Sequence, residues 1–182
     1  NPMAQPNDTD PVLNEGSLLT NVFNRVLRTL CYTWQKDYNG IMPYGDPCEE
    51  VKNACLYTTL KYEKCVYEQK FHMVSYELDS FIRSINKKLT AYNNTIAGTE
   101  EGKQILIDAL HMSKVALVLL HPVAPASVEN VVYFLKLNKS IFDWNTICDP
   151  IYNFVDNPTE HKPSFLEPKV DFFKRPDCQF EK

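Results

Sequence analysis

The chain has 182 residues, 44% of them hydrophobic and 23% charged, with a net charge of -4. That length and balance suit one globular domain with a full core and exclude a disordered polypeptide. The acidic balance excludes a strong non-specific nucleic-acid binder, whose phosphate affinity would come from Lys and Arg, but not a local basic stripe.

Residues 1–13 hold Pro2, Pro6 and Pro11 among Asn, Asp and Gln and read as a linker or lead-in. The chain opens at Asn1 without a starting Met or a signal peptide, so it reads as cut from something longer. A helical bundle is expected over residues 14–137. Its first helix runs from about Ser17 to Lys36, with Leu19, Val22, Phe23, Val26 and Leu30 on the apolar face. Asn21, Arg25 and Arg28 form a polar stripe on that helix, either a solvated face or a reading edge for a ligand.

Tyr38–Gly45 is a turn segment. Asp46 is expected to cap a second helix, with Pro47 at its first position and Glu49 and Glu50 behind, running to about Gln69. Tyr57, Tyr62 and Tyr67 line it, a series more often core and rim than a base-stacking platform. Ser75 is expected to cap a third helix. Leu78, Ile82, Ile85, Leu89, Tyr92 and Ile96 keep strict three-four spacing on it, and Gly98 is expected to end it. Arg83, Asn86, Lys87 and Lys88 lie on its other faces as surface groups within reach of phosphates.

The fourth helix organises the rest. In QILIDALHMSKVALVLLHPVAP, Ile105, Leu106, Ala109, Met112, Ala116, Leu119 and Leu120 repeat at helical steps, and Ile107, Leu110, Val115, Leu117 and Val118 fill most other sides. A helix apolar nearly all round is buried. Thr99, Glu100 and Glu101 mark its start and Pro122 its end. Asp108, His111 and Lys114 interrupt it, and with its short length they exclude a membrane span. Pro125 and Ser127 start a short fifth helix, SVENVVYFLKL. Residues 138–182 are expected to return along the bundle. One helical turn is expected around Trp144, followed by an extended Pro-rich tail that lays Phe154, Phe165, Phe172, Phe173 and Phe180 on the helices. The expected class is all-α, about five helices with that tail packed on them.

The six cysteines show no C-x-x-C pair and no His at zinc-finger distance, so no metal is expected. Asn7, Asn93 and Asn138 each head an N-x-S/T sequon, which leaves open a secreted, disulfide-linked, cytokine-like bundle beside a reduced intracellular one. No G-x-G-x-x-G, P-loop, G-x-S-x-G or H-E-x-x-H is present, and His72, His111, His121 and His161 are scattered. Neither a cofactor nor a catalytic site is expected in this chain.

Two stretches together carry a resemblance. One is NVFNRVL, Asn21–Leu27, followed by the turn with Tyr38, Asn39, Gly40 and Pro43. The other is LLHPVAPASVENVVYFLKL, with Leu119, Leu120, His121, Pro122 and Pro125. Over residues 18–171 the chain resembles the C-terminal anticodon-binding helical bundle of methionyl-tRNA synthetase, a class I aminoacyl-tRNA synthetase. In that family an N-x-x-x-R helix opens the bundle, and a Leu-Leu-x-Pro-x-x-Pro corner follows the long apolar helix. A Trp then precedes a Pro-rich return, where this chain has Trp144 and PSFLEPKV, 163–170. The resemblance implies that Asn21 and Arg25 touch anticodon bases, with Arg28 on a phosphate. The residue types fit, since Arg offers a planar donor fork and Asn one donor and one acceptor edge.

The chain departs from the family where a Pro-Trp pair normally follows the third helix. Those positions hold Asn94 and Thr95. Base stacking on an aromatic contributes roughly 1–3 kcal/mol per base, so the altered site predicts weaker discrimination. The HIGH and KMSKS signatures of the catalytic domain lie outside this sequence. The implied partners are the anticodon loop of a methionine tRNA and a catalytic synthetase domain, in the cytoplasm or in mitochondria. A repurposed bundle serving as an interaction subunit of a multiprotein assembly is the alternative.

Overall fold

The computed structural model describes residues 16–174. Helix α1 opens with π-wound turns over Leu18–Phe23 and continues as α-helix over Asn24–Asp37. Helices α2, Glu49–Tyr67, α3, Phe71–Tyr92, α4, Glu100–Leu120, and α5, Pro125–Phe134, complete an all-α bundle. Three 3-10 turns follow, Lys139–Phe142, Trp144–Thr146 and Ile151–Phe154, and then an extended segment. Among the described residues there is no strand, and no helix is long and apolar enough to cross a membrane.

Helix α4 is the axis. Every side chain from Leu106 to Leu120 is buried, and α3 packs along it most extensively. Its Thr99 cap forms as expected, accepting from the Gly102 N–H at 3.2 Å. The three polar residues inside it are buried rather than interrupting it. Asp108 Oδ2 meets Lys88 Nζ at 2.8 Å, and its Oδ1 accepts from the Cys48 N–H at 2.9 Å and from Gln104 at 3.0 Å. Burial alone would raise the Asp108 pKa, but these bonds bring it below the ordinary carboxylate value. Lys114 donates to the carbonyls of Thr146, at 3.2 Å, and Ile147, at 2.5 Å, so it ties the returning segment to the core. Desolvation lowers its pKa to about 8. Both ring nitrogens of His111 lack a partner among the described residues, and burial pushes its pKa down to about 4.

Five boundaries differ from expectation. Helix α2 starts at Glu49, not at Asp46 and Pro47, because the buried Asp108 carboxylate takes the Cys48 N–H and sets the entry point. It stops at Tyr67 rather than Gln69, where Gln69 turns left-handed with φ 58°. Helix α3 begins at Phe71, before Ser75, without a side-chain cap, and ends at Tyr92. Asn93–Gly98 is thus a turn, and Ile96 is 78% exposed instead of extending the apolar face. Helix α5 ends at Phe134, and Lys136 turns left-handed, φ 54°, before Leu137. The long three-four patterns survive. At the start of α2 a tertiary partner, Asp108, took the place of the local cap.

The tail folds back as expected. Phe154, Phe172 and Phe173 are buried, Phe172 edge-on to Phe134 and Phe173 beside Phe23. Each such side chain contributes about 1.5–3 kcal/mol on burial. Phe165, expected on the bundle, is 74% exposed. Phe180 lies outside the described residues. The described cysteines, Cys31, Cys48, Cys55, Cys65 and Cys148, are free thiols.

Candidate nucleic-acid interface

The polar stripe of α1 divides according to what each residue touches. Asn24, inside the stripe's span, is fully buried. Its Oδ1 accepts from the N–H groups of Phe172, at 3.2 Å, and Phe173, at 3.0 Å, and its Nδ2 donates to the Phe173 carbonyl at 2.7 Å. Four residues on, Arg28 Nη1 pairs with Asp171 at 2.8 Å. These two residues strap the tail along the back of α1.

Asn21 and Arg25 stay exposed. Asn21 Nδ2 donates to Ser17 Oγ at 2.7 Å. Both residues lie at the junction of the π-wound and α-wound turns, where the Asn24 N–H reaches back to the Leu19 carbonyl. A wider turn at this point rotates Arg25 slightly relative to Asn21, a detail the i, i+4 spacing does not carry.

Arg25 and Thr29 form one wall of a groove of about 290 Å³, and Asn86, Leu89, Thr90 and Asn93 of α3 form the other. Its lining is mixed: an apolar floor at Leu89, two amides, two hydroxyls and one guanidinium. Arg25 forms no ion pair with any described residue, whereas nearby cations are committed, Arg83 to Asp79 at 2.7 Å and Lys88 to Asp108 at 2.8 Å. The groove therefore offers a donor fork uncompensated among the described residues, next to amide edges, an arrangement suited to the edge of a planar polar ligand.

Asn94 and Thr95 sit in the turn that follows α3, directly after Asn93. Asn94 is exposed, and Thr95 is half-buried with its hydroxyl donating to the Tyr92 carbonyl at 2.8 Å. The turn lies tight on the start of α4. A Cβ on Gly102 would come within 3.0 Å of Thr95 Oγ1 and 3.1 Å of the Tyr92 ring. The groove thus brings Arg25 together with Asn93, whereas Asn94 and Thr95, the next residues in the chain, are not part of its lining. Asn21 lies a turn farther along α1, and Arg28 on the tail side. Asn86 was legible only as a surface polar group and Asn93 only as the head of a sequon, since facing Arg25 depends on how α1 and α3 pack.

The fold and this groove define a helical bundle with a polar inter-helix cleft and no catalytic constellation among the described residues. Solved structures of Mycobacterium tuberculosis methionyl-tRNA synthetase share the fold. One bound by methionyl-adenylate aligns with TM-score 0.66 and 15% identity over 91% of this chain and 34% of that one. The ligand-free form aligns with TM-score 0.61 and 17% identity over 94% and 35%. The chain spans about a third of the length of these synthetases. No known protein family matches the sequence, and a search of curated proteins finds no match.

Proposed function

We propose that this chain is the anticodon-recognition bundle of a methionyl-tRNA synthetase and binds the anticodon loop of a methionine tRNA. The observation that carries the reading is the groove in which Arg25, without an ion-pair partner among the described residues, faces Asn86, Thr90 and Asn93. Sequence-specific RNA recognition takes unstacked loop bases and reads their edges by hydrogen bonds, which an Arg fork and amides provide. Asn21 and Arg25 contact bases, and Arg28 lends its remaining donors to a phosphate while it holds Asp171. Asn94 and Thr95 border the base where the family has an aromatic, so hydrogen bonding replaces stacking there. The shared fold supports this role, and the length of the synthetases supports a catalytic domain beyond this chain. The protein then works where its tRNA is charged, in the cytoplasm or in mitochondria.

A gel-shift titration against methionine tRNA and the same tRNA with an altered anticodon tests it. Preferential binding of the methionine anticodon is expected. Arg25→Ala is expected to cost roughly 1–3 kcal/mol, about a five- to 150-fold loss, and to narrow the preference between the two tRNAs. Equal affinity for both tRNAs, or wild-type affinity in both Asn21→Ala and Arg25→Ala, overturns the reading.

A further inference from the structure

At the far end of α3 from the Arg25 groove lies a second cavity, of about 750 Å³, between the end of α2, the start of α3, the Pro122–Val123 corner and Trp144. The two share no lining residue. Its volume is that of a small-molecule pocket. Four aromatic side chains, Tyr62, Tyr67, Phe71 and Trp144, line it, and Glu63 is its only charged lining residue.

Packing fixes the charge against the rings. Tyr62 is buried, and Trp144 tilts on it with ring centroids 6.0 Å apart and 42° between the planes. Trp144 donates its indole N–H to Glu63 Oε1. The carboxylate is thus tied to the edge of a two-ring corner by one oxygen, and its other oxygen accepts from no described residue.

This carboxylate has no cation among the described residues. Lys61 is committed to Glu77 at 3.2 Å and lies 4.8 Å from the centre of the Tyr57 ring, and Lys70 pairs with Glu68 at 2.8 Å. Lys64, next in sequence, lies on another side of the helix and outside the cavity lining. Tyr44, Tyr57 and Phe154 each have a lysine over the ring, whereas none of the four cavity rings has one among the described residues. Ring faces attract cations through their quadrupole, and the carboxylate adds a full negative charge. An anion would be repelled here. A neutral apolar group would desolvate Glu63 without compensating it. A cation on an apolar body satisfies the rings and the charge together.

We infer that this cavity binds a small organic cation, a quaternary ammonium carried on an apolar body. The ammonium sits against Glu63 and the Trp144–Tyr62 corner, and the body lies toward Phe71 and Val123. A quaternary ammonium has no N–H to donate, so charge and ring faces carry its recognition. The site stands independently of the tRNA reading.

An NMR titration of the full chain with benzyltrimethylammonium chloride tests it, at an ionic strength held constant with sodium chloride. The chain has two tryptophans, and Trp34 is buried, so its indole N–H resonance is an internal reference. The Trp144 resonance is expected to shift saturably while that of Trp34 stays in place. Glu63→Gln removes the charge and keeps a side-chain oxygen for the indole. It is expected to weaken binding about fivefold or more, and Phe71→Leu by a smaller factor. Benzyl alcohol, the same ring without the charge, is expected to bind about tenfold more weakly or worse. A Trp144 resonance that shows no saturable shift up to tens of millimolar ligand overturns the proposal. Equal affinity for benzyl alcohol overturns it too, assigning the cavity to a neutral apolar partner. So does binding indifferent to Glu63→Gln in a variant whose free Trp144 resonance matches that of the wild type.

Discussion

The polar residues of α4 and those of α1 are spaced alike and used differently. Asp108, His111 and Lys114 follow one another at steps of three inside the core, and each is almost completely buried. Asn21, Asn24, Arg25 and Arg28 share a similar spacing on a helix with one face in water. On α4 two of the polar groups are committed to the fold, Asp108 receiving Cys48, Gln104 and Lys88 and Lys114 holding the carbonyls of Thr146 and Ile147, while His111 is buried without a partner among the described residues. On α1 the stripe is divided between fold and surface, Asn24 and Arg28 to the tail and Asn21 and Arg25 to solvent. Polar residues at helical spacing thus do not declare their role. The partner across the fold declares it.

The contrast predicts where substitutions act. Asp108→Ala is expected to have the largest effect, a loss of about 2–4 kcal/mol at neutral pH, because it strips Lys88 and the Cys48 N–H of their shared acceptor. A urea unfolding curve measures it. A loss below about 1 kcal/mol would place Asp108 among the dispensable groups and break the contrast.

His111 gives the next effect, in pH dependence. Its pKa is about 4 in the folded chain against an ordinary value of 6.5, so between these values the unfolded chain binds the extra proton. Stability therefore falls as pH drops through that window, by up to about 3 kcal/mol. The depressed Asp108 carboxylate adds a loss of the same sign at lower pH, as it is protonated. His111→Leu removes the first contribution only. Its unfolding midpoints at pH 7 and pH 5 are expected to lie closer together than those of the wild type. Parallel shifts in both proteins would rule out the buried imidazole as the cause.

These buried groups also mark where sequence reading succeeded and where it stopped. The helix order was legible because each of α1, α3 and α4 repeats its apolar residues over several turns, as in Leu78, Ile82, Ile85 and Leu89. The Thr99 cap was legible because donor and acceptor are three residues apart. The start of α2 was not, since the acceptor that fixes it, Asp108, lies 60 residues away in sequence. Asn24 carried no signal for its role: the tail groups it holds are 148 and 149 residues distant. For the candidate site, Arg25 stood out by residue type and spacing. The α3 wall of its groove, Asn86 and Asn93, emerged only from packing.

Adjacent residues on α1 sharpen the comparison further. Asn24→Ala leaves two tail N–H groups and one carbonyl without their side-chain partner and is expected to cost about 2 kcal/mol. Arg25→Ala, one residue on, is expected to change stability by no more than about 0.5 kcal/mol. Thermal unfolding of the two variants side by side checks this. Equal destabilisation would show that Arg25 also serves the fold.

Arg28 stands between the two groups and gives the smallest effect. Its pair with Asp171 is 2.8 Å long, but the side chains are 30% and 42% exposed, so water competes for both ions. A double-mutant cycle with Arg28→Ala and Asp171→Ala is expected to give a coupling of about 0.2–1 kcal/mol. The two single variants separate structure from recognition. If Arg28 serves the tail alone, both lose the same small stability and neither alters tRNA affinity. If it also reaches a phosphate, Asp171→Ala frees its guanidinium and strengthens tRNA binding at low salt, while Arg28→Ala weakens it. Opposite signs in the gel shift, against equal signs in unfolding, are the expected outcome, because an Arg has donors on both edges of its plane and Asp171 occupies only Nη1.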